Sequence, residues 1–237
     1  MSDGDYEALA AIVRERIAAR DRRPYLVAVT GGVAAGKSTV ALALRALLAD
    51  RWSVDIVPAD GFLFSNAELD RRGLSLRKGF PESHDLNALA RFLADVRAGG
   101  GARAPTYSHV TYDLVPGGEQ VVAADVVVVE GLPLLQPEIG GSFDLTIYVD
   151  ADEDDLERWY VERFLTLRDA ARNDDSSFFR AFVAMSEAET AALAHEVWRT
   201  INGRNLREHI LPTREQADVI VEKAGDHTVR SVRLQTS

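Results

Sequence analysis

Three observations predict an α/β fold, a parallel sheet flanked by helices. Apolar runs at 25–29, 126–129 and 145–149 read as buried strands. Stretches of helical period alternate with them, the order that builds a parallel sheet through crossovers. After the first run stands Gly31-Gly-Val-Ala-Ala-Gly-Lys-Ser38, which fits G-x-x-x-x-G-K-[ST] between a strand and a helix. The 237 residues suffice for one such domain, with 1–24 as an N-terminal helix and 25–237 as the core.

Taken in order, residues 5–20 carry Tyr6, Leu9, Val13 and Ile17 on one helical stripe, and 20–24 end it. The loop is followed by a helical pattern through Leu42, Leu44, Leu47 and Leu48. Residues 53–57 form a second strand, closing in Pro-Ala-Asp-Gly at 58–61. Residues 62–84 lack a period and hold Gly73, Gly79 and Pro81, so they read as a long loop. Ser83 is expected to cap a helix through Leu86, Leu89, Leu93 and Val96, which Gly99 to Gly101 stop. Residues 104–118 read as irregular, 121–123 and 126–129 as strands, the second central. After the 145–149 strand, Asp152 caps a helix with acids at its start and Arg168 near its end, broken at 169–177. Residues 187–201 form a third long helix ending at Asn202-Gly203, and 217–222 and 229–234 are closing strands around Gly-Asp-His.

Composition excludes several classes. With no cysteine, disulfides and thiolate-ligated zinc are ruled out. A net charge of −10 argues against nucleic acid as the main partner. No apolar stretch reaches membrane-span length, and the N-terminus lacks a basic-then-apolar leader, so a cytoplasmic location is expected.

The chemistry concentrates at the strand ends. Gly31, Gly32 and Gly36 let the loop, with Val33, Ala34, Ala35 and Thr39, turn its N–H groups around phosphate oxygens at a helix N-terminus. Lys37 then reaches the β- and γ-phosphates, and the Ser38 hydroxyl ligates Mg²⁺. Thr30, Asp60 and Glu130 fall at the carboxyl ends of strands, where open parallel sheets bind ligands. Asp60 is either an Asp-Gly turn former or a carboxylate that accepts a proton from an attacking hydroxyl. Glu130 either ends its strand in a turn or holds Mg²⁺ or its water. Arg163 falls inside the stripe Leu156, Trp159, Tyr160, Phe164 and Leu167, where it either meets a phosphate or snorkels to water. Asn202 before Gly203 is most simply a C-cap.

Several stretches closely resemble type I bacterial pantothenate kinase. They are the loop at 31–39, Asp60-Gly-Phe-Leu-Phe-Ser-Asn66, Lys78-Gly-Phe-Pro-Glu-Ser-His-Asp85, Tyr107-Ser-His-Val-Thr-Tyr-Asp113, Val129-Glu-Gly-Leu132, Trp159 to Leu165, Trp198 to Asn202, and Ile210 to Arg214. The resemblance implies a P-loop NTPase-type sheet with a kinase-like lid, an ATP- and Mg²⁺-dependent enzyme, a small-molecule substrate and a homodimer. It implies Asp60 as general base, with Lys37 and Arg163 on the transferred phosphate. Tyr107, His109, Tyr112, Tyr160, Phe179 and Asn202 are implied as substrate contacts, Lys78 as a cation for the substrate, and His227 beside the adenine. Asn202 would then cap and bind at once.

The departures from that family lie at Leu42, where the family has an Arg five residues after the loop Lys; at His84, where it has Tyr; at Arg172, where it has an aromatic; and along 173–180. In the resembled family coenzyme A competes with ATP, and Leu42 and Arg172 imply that this inhibition is weak here. The reading is a kinase of a small primary alcohol, pantothenate first. Its rivals are another P-loop kinase, of a nucleoside or specialised metabolite, and a non-catalytic nucleotide-dependent regulator.

Overall fold

The computed structural model describes residues 6–20, 23–99 and 101–235. Its strands are β1 (Tyr25–Gly31), β2 (Val54–Pro58), β3 (Ala102–Ser108), β4 (Asp113–Val122), β5 (Val126–Glu130), β6 (Leu145–Asp150), β7 (Val219–Lys223) and β8 (Val229–Leu234). The longer helices are α1 (Glu7–Ala18), α2 (Lys37–Leu48), α3 (Asn66–Arg72), α4 (Leu86–Ala98), α5 (Glu153–Ala170) and α6 (Glu187–Val197). Asp5, part of the breaker at 20–24, and Gly100 lie outside the described residues.

Six strands form one sheet in the order β2-β5-β1-β6-β7-β8, parallel except for the β7–β8 hairpin. The apolar run in β5 pairs on both sides, as expected for a strand buried on both faces. Alternate β1 residues serve opposite layers. Tyr25, Val27 and Val29 pack with α1 and α2, whereas Leu26 and Ala28 pack with Leu89, Phe92, Leu93 and Val96 of α4. The α1 stripe at Tyr6, Leu9, Val13 and Ile17 is buried as predicted. On α2 the buried face is Val40, Ala41, Leu44 and Leu48, and Leu42 is 50% exposed.

Four expectations need correction. Residues 62–84 contain α3, which Ser65 caps by accepting the Glu68 N–H and a left-handed Gly73 ends. The Ser-x-x-Glu signature was present but its short helix buries only Leu69. Ser83 caps nothing; the α4 cap is Asp85, whose carboxylate accepts the Ala88 N–H at 2.8 Å. Residues 104–118 belong to the antiparallel β3–β4 ribbon, hidden from pattern reading by Pro105 and a register shift between Pro105 and Tyr107. The third long helix does not end at Asn202. It passes into a π-turn at Trp198–Asn202, and Gly203 keeps right-handed helical angles, so Asn202 is not a C-cap. Buried Leu206 and Ile210 beyond it carry the helical path onward. No helix among the described residues is long and apolar enough to cross a membrane.

Candidate active site

The carboxyl ends of β1, β2 and β5 lie level, with Val29 and Pro58 both in register with Glu130. A cavity of ≈ 1020 Å³ opens above them. Its floor is the glycine loop. Val33, Ala34, Gly36, Lys37, Ser38 and Thr39 line it. Gly31, Gly32 and Ala35 do not. At Gly31 a Cβ would stand 2.2 Å from the Val149 carbonyl oxygen, so β6 requires glycine there for packing. Gly36, left-handed at φ 87°, is the N-cap of α2.

At this end the Ser38 hydroxyl donates to Glu130 Oε1 at 2.9 Å, and the Lys37 ammonium donates to the Gly32 carbonyl at 2.8 Å. Burial pushes the Lys37 ammonium below its ordinary value, against the pull of Glu130 and Asp60. Burial likewise pushes the Glu130 carboxyl up, opposed by Lys37 and the Ser38 bond. A hydroxyl and a carboxylate side by side are the hard oxygen donors that Mg²⁺ takes, together with water and phosphate oxygens. No cluster of three or more His, Asp or Glu among the described residues could hold a metal without such outside oxygens. Thr30, by contrast, is wholly buried and donates to the Leu132 carbonyl, so it supports the rim and does not face the cavity.

Asp60 sits in the 3-10 turn Ala59–Phe62 directly after β2. Gly61 allows the turn to touch the ribbon, since a Cβ there would lie 2.0 Å from the Pro105 carbonyl oxygen. The ribbon tip brings His109 Nε2 to 3.9 Å from Asp60 Oδ2. Lys78 reaches over from the loop after α3. Its ammonium donates to Asn66 Oδ1 and to the Tyr112 carbonyl, each at 2.6 Å, and stands 4.5 Å from the Tyr112 ring centre and 5.1 Å from that of Tyr107. Tyr112 takes a left-handed φ of 57°, which turns its carbonyl to both Lys78 and the Asn66 amide.

The far wall comes from α5, α6 and the π-turn that follows α6. Tyr160, Arg163 and Asn202 line it, and Asn202 hydrogen-bonds the Tyr160 hydroxyl, whose ionisation burial pushes well above the ordinary range. Arg163 is exposed to the cavity and is not buried in the apolar stripe; among the described residues it makes no ion pair. The buried arginine of α5 is Arg168, 3% exposed and held by Asp169 and Thr190. Phe179 closes the apolar end with Phe164 and Phe182. The Phe178 N–H bonds to the Val110 carbonyl at 2.8 Å and its ring stacks on Tyr112 at 4.8 Å, so the segment after α5 lies across the ribbon like a lid. His227 lines the opposite edge, stacked on Trp159 at 4.1 Å.

The cavity therefore gathers every predicted site residue except Gly31, Gly32 and Ala35, and of the three strand-end candidates it leaves out Thr30. Sequence reading missed Asn66, which closes the quoted 60–66 stretch, and Trp159, which was read only as core. Phe178 and Phe182 were hidden in a segment without period. The arrangement can hold an anion against the loop, place a hydroxyl near Asp60 and set two cations between them.

The Phosphoribulokinase / Uridine kinase family model matches residues 26–171. A protein of Sorangium cellulosum named pantothenate kinase is 54% identical over 227 residues, covering 90% of this chain and 73% of that one. Another so named, from Parvibaculum lavamentivorans, is 46% identical over 91% of this chain and 71% of its own. Among solved structures, a candidate fructose transport system kinase of Silicibacter sp. TM1040 superposes with a TM-score of 0.70 at 27% identity, covering 87% of this chain and 93% of that one.

Proposed function

The chain belongs to the phosphoribulokinase/uridine kinase family and, within it, to the pantothenate kinases, and from that premise we infer that it transfers the γ-phosphate of ATP to the primary hydroxyl of pantothenate. The observation that carries the site reading is one cavity lined together by Lys37, Ser38, Glu130, Asp60, Tyr107, His109, Tyr160 and Asn202. In this reading the loop cradles the β- and γ-phosphates, and His227 lies by the adenine. Ser38 and Glu130 would hold Mg²⁺, which would supply positive charge to offset that of the phosphates. Asp60 accepts the proton of the attacking hydroxyl while Lys37 and Arg163 stabilise charge on the transferring group. Positioning supplies much of the rest of the rate. On the resemblance alone, the working unit is a cytoplasmic homodimer of single kinase domains, which sedimentation and cell fractionation test.

The discriminating experiment is ADP release with pantothenate, its amide analogues and a panel of nucleosides. Turnover of pantothenate alone or with its amides supports the reading. Turnover of a nucleoside without pantothenate moves the assignment to another small-alcohol kinase. No turnover of any substrate by folded, ATP-binding protein favours the nucleotide-dependent regulator.

Two further results are expected. Tyr160→Phe and Asn202→Ala each remove a neutral hydrogen bond of about 0.5–1.5 kcal/mol, more where a buried group is left unpaired. The KM for pantothenate should therefore rise by roughly 2- to 12-fold, with that for ATP little changed. A rise confined to ATP would misplace these residues. The second concerns regulation. Leu42 presents no charge, and Arg172 is turned to Asp169 at 3.0 Å and does not line the cavity. Coenzyme A should inhibit weakly at an ATP concentration near KM. Leu42→Arg should tighten inhibition by about 10- to 100-fold, the worth of one charge-assisted contact. Tight ATP-competitive inhibition of the wild type would point to a different anchor.

A further inference from the structure

His84 is a buried titratable group that does not line the cavity, and it is 4% exposed. It follows the Pro81–Ser83 turn and faces Leu63 across an antiparallel bridge. On either side of that bridge the Phe64 N–H donates to the Ser83 carbonyl at 2.9 Å and the Asp85 N–H to the Phe62 carbonyl at 2.8 Å. The Leu63 N–H in turn donates to the Asp60 carbonyl at 3.1 Å. The segment that leaves Asp60 is thus zipped to the end of the loop that Lys78 begins, with His84 at the centre of the zipper.

The tautomer follows from its neighbours. His84 Nδ1 lies 3.0 Å from the Phe80 carbonyl oxygen, which can only accept. The Ser83 hydroxyl, 3.4 Å from Nδ1, already donates to the same carbonyl at 2.7 Å. Nδ1 therefore carries the hydrogen and Nε2 is a bare lone pair. Nε2 is buried and has no partner among the described residues. The Nδ1–H bond ties the imidazole to the Pro81–Ser83 turn, and the bridge ties the same residue to the Asp60 segment.

We propose that His84 is a positioning residue for the transfer: its neutral imidazole, protonated on Nδ1, locks the loop of Lys78 onto the segment leaving Asp60 and so fixes the distance between them. The inference rests on the reading of Asp60 as base. A proton on Nε2 would create a buried imidazolium with no acceptor in reach, which is costly. Around it stand Asp60 on the facing turn, Glu82 with its partner Arg77, and His209 edge-on to the Phe80 ring. Burial pushes the imidazole below its ordinary value, and the Asp60 charge, the Phe80 carbonyl and Glu82 only partly oppose this. The unfolded chain then binds the extra proton more readily than the folded one. Stability is lost as pH falls from the ordinary histidine value, about 6.5, toward the depressed folded value.

The test uses the full chain with His84→Gln and His84→Phe. Gln can donate to the Phe80 carbonyl and does not titrate; Phe fills the space and donates nothing. The expected results are three. At pH 8, His84→Phe loses about 3- to 10-fold in kcat, the worth of one neutral hydrogen bond, while His84→Gln loses less. Between pH 6.5 and 5 the acid limb of kcat/KM for pantothenate is shallower in His84→Gln than in wild type. Over the same range the ligand-free Tm of His84→Gln falls less. An acid limb unchanged in His84→Gln, or a wild-type kcat in His84→Phe, overturns the proposal. The Tm series needs no substrate, so a failure of the base assignment, read from Asp60→Asn, stays separate from a failure at His84.

Discussion

Asp60→Asn is expected to cut kcat by about 10²–10⁴ while ATP binding stays nearly intact, the usual worth of a general base. The substitution is isosteric, so the 3-10 turn at 59–62 and its contact with the ribbon at Pro105 should survive. Only proton acceptance and negative charge are removed. Asp60 also supports the Lys37 and Lys78 ammonium groups, as one of the carboxylates that hold both up against burial. Losing it should therefore push both lysines further down and sharpen the loss of rate at high pH. The alkaline limb of kcat is expected to move to lower pH in the variant, because each lysine must stay protonated to neutralise phosphate. Steady-state kcat across pH, beside calorimetric ADP binding, reads both effects. A variant that keeps more than about a third of the wild-type rate would show that Asp60 is not the base.

Much of this site was legible because each of its ends has a local cause. The glycine loop needs its spacing, and Glu130 and Asp60 follow apolar strands whose ends must meet at one rim. The strands themselves were legible from unbroken apolar runs, as in Val126 to Val129. What escaped was held by contacts distant in sequence. The ribbon at 102–122 is half exposed and interrupted by Pro105, so alternation is confined to 102–105 on its first strand; its place is set by Gly61 meeting the Pro105 carbonyl. Asn202 read as a cap because Asn-Gly commonly ends helices, but the π-turn there is stabilised by burial of Trp198 and by Leu206 and Ile210 beyond it. Arg163 and Arg168 share the helix, and sequence period put the wrong one inside. The hydroxyl of Thr190 and the carboxylate of Asp169 give Arg168 its partners, and neither is visible from the periodicity of α5.

Lys37→Met carries the second large effect. Lys37 opens α2, where the aligned peptide dipoles already present positive charge. Its ammonium is desolvated, donates to the Gly32 carbonyl, and is further burdened by the Arg163 charge. Glu130 and Asp60 only partly offset that burial, so a further anion is welcome there, which suits a residue whose task is to meet phosphate. Two opposite consequences follow from one substitution. Without ligand, Lys37→Met should fold about as stably as wild type, since loss of the Gly32 bond and of the attraction to Glu130 and Asp60 is offset by no longer burying an ammonium at the helix start. With ATP and the alcohol present, kcat should fall by about 10²–10³, the cost of removing one preorganised donor from a developing anion. Lys37→Arg should not restore it, because the planar guanidinium is larger and cannot replace a compact ammonium in the loop. Thermal melting without nucleotide and single-turnover phosphorylation with it separate the two. A marked loss of ligand-free stability would make Lys37 chiefly a brace for the loop. A rate within about tenfold of wild type would transfer the main charge stabilisation to Arg163, which faces the same cavity from α5.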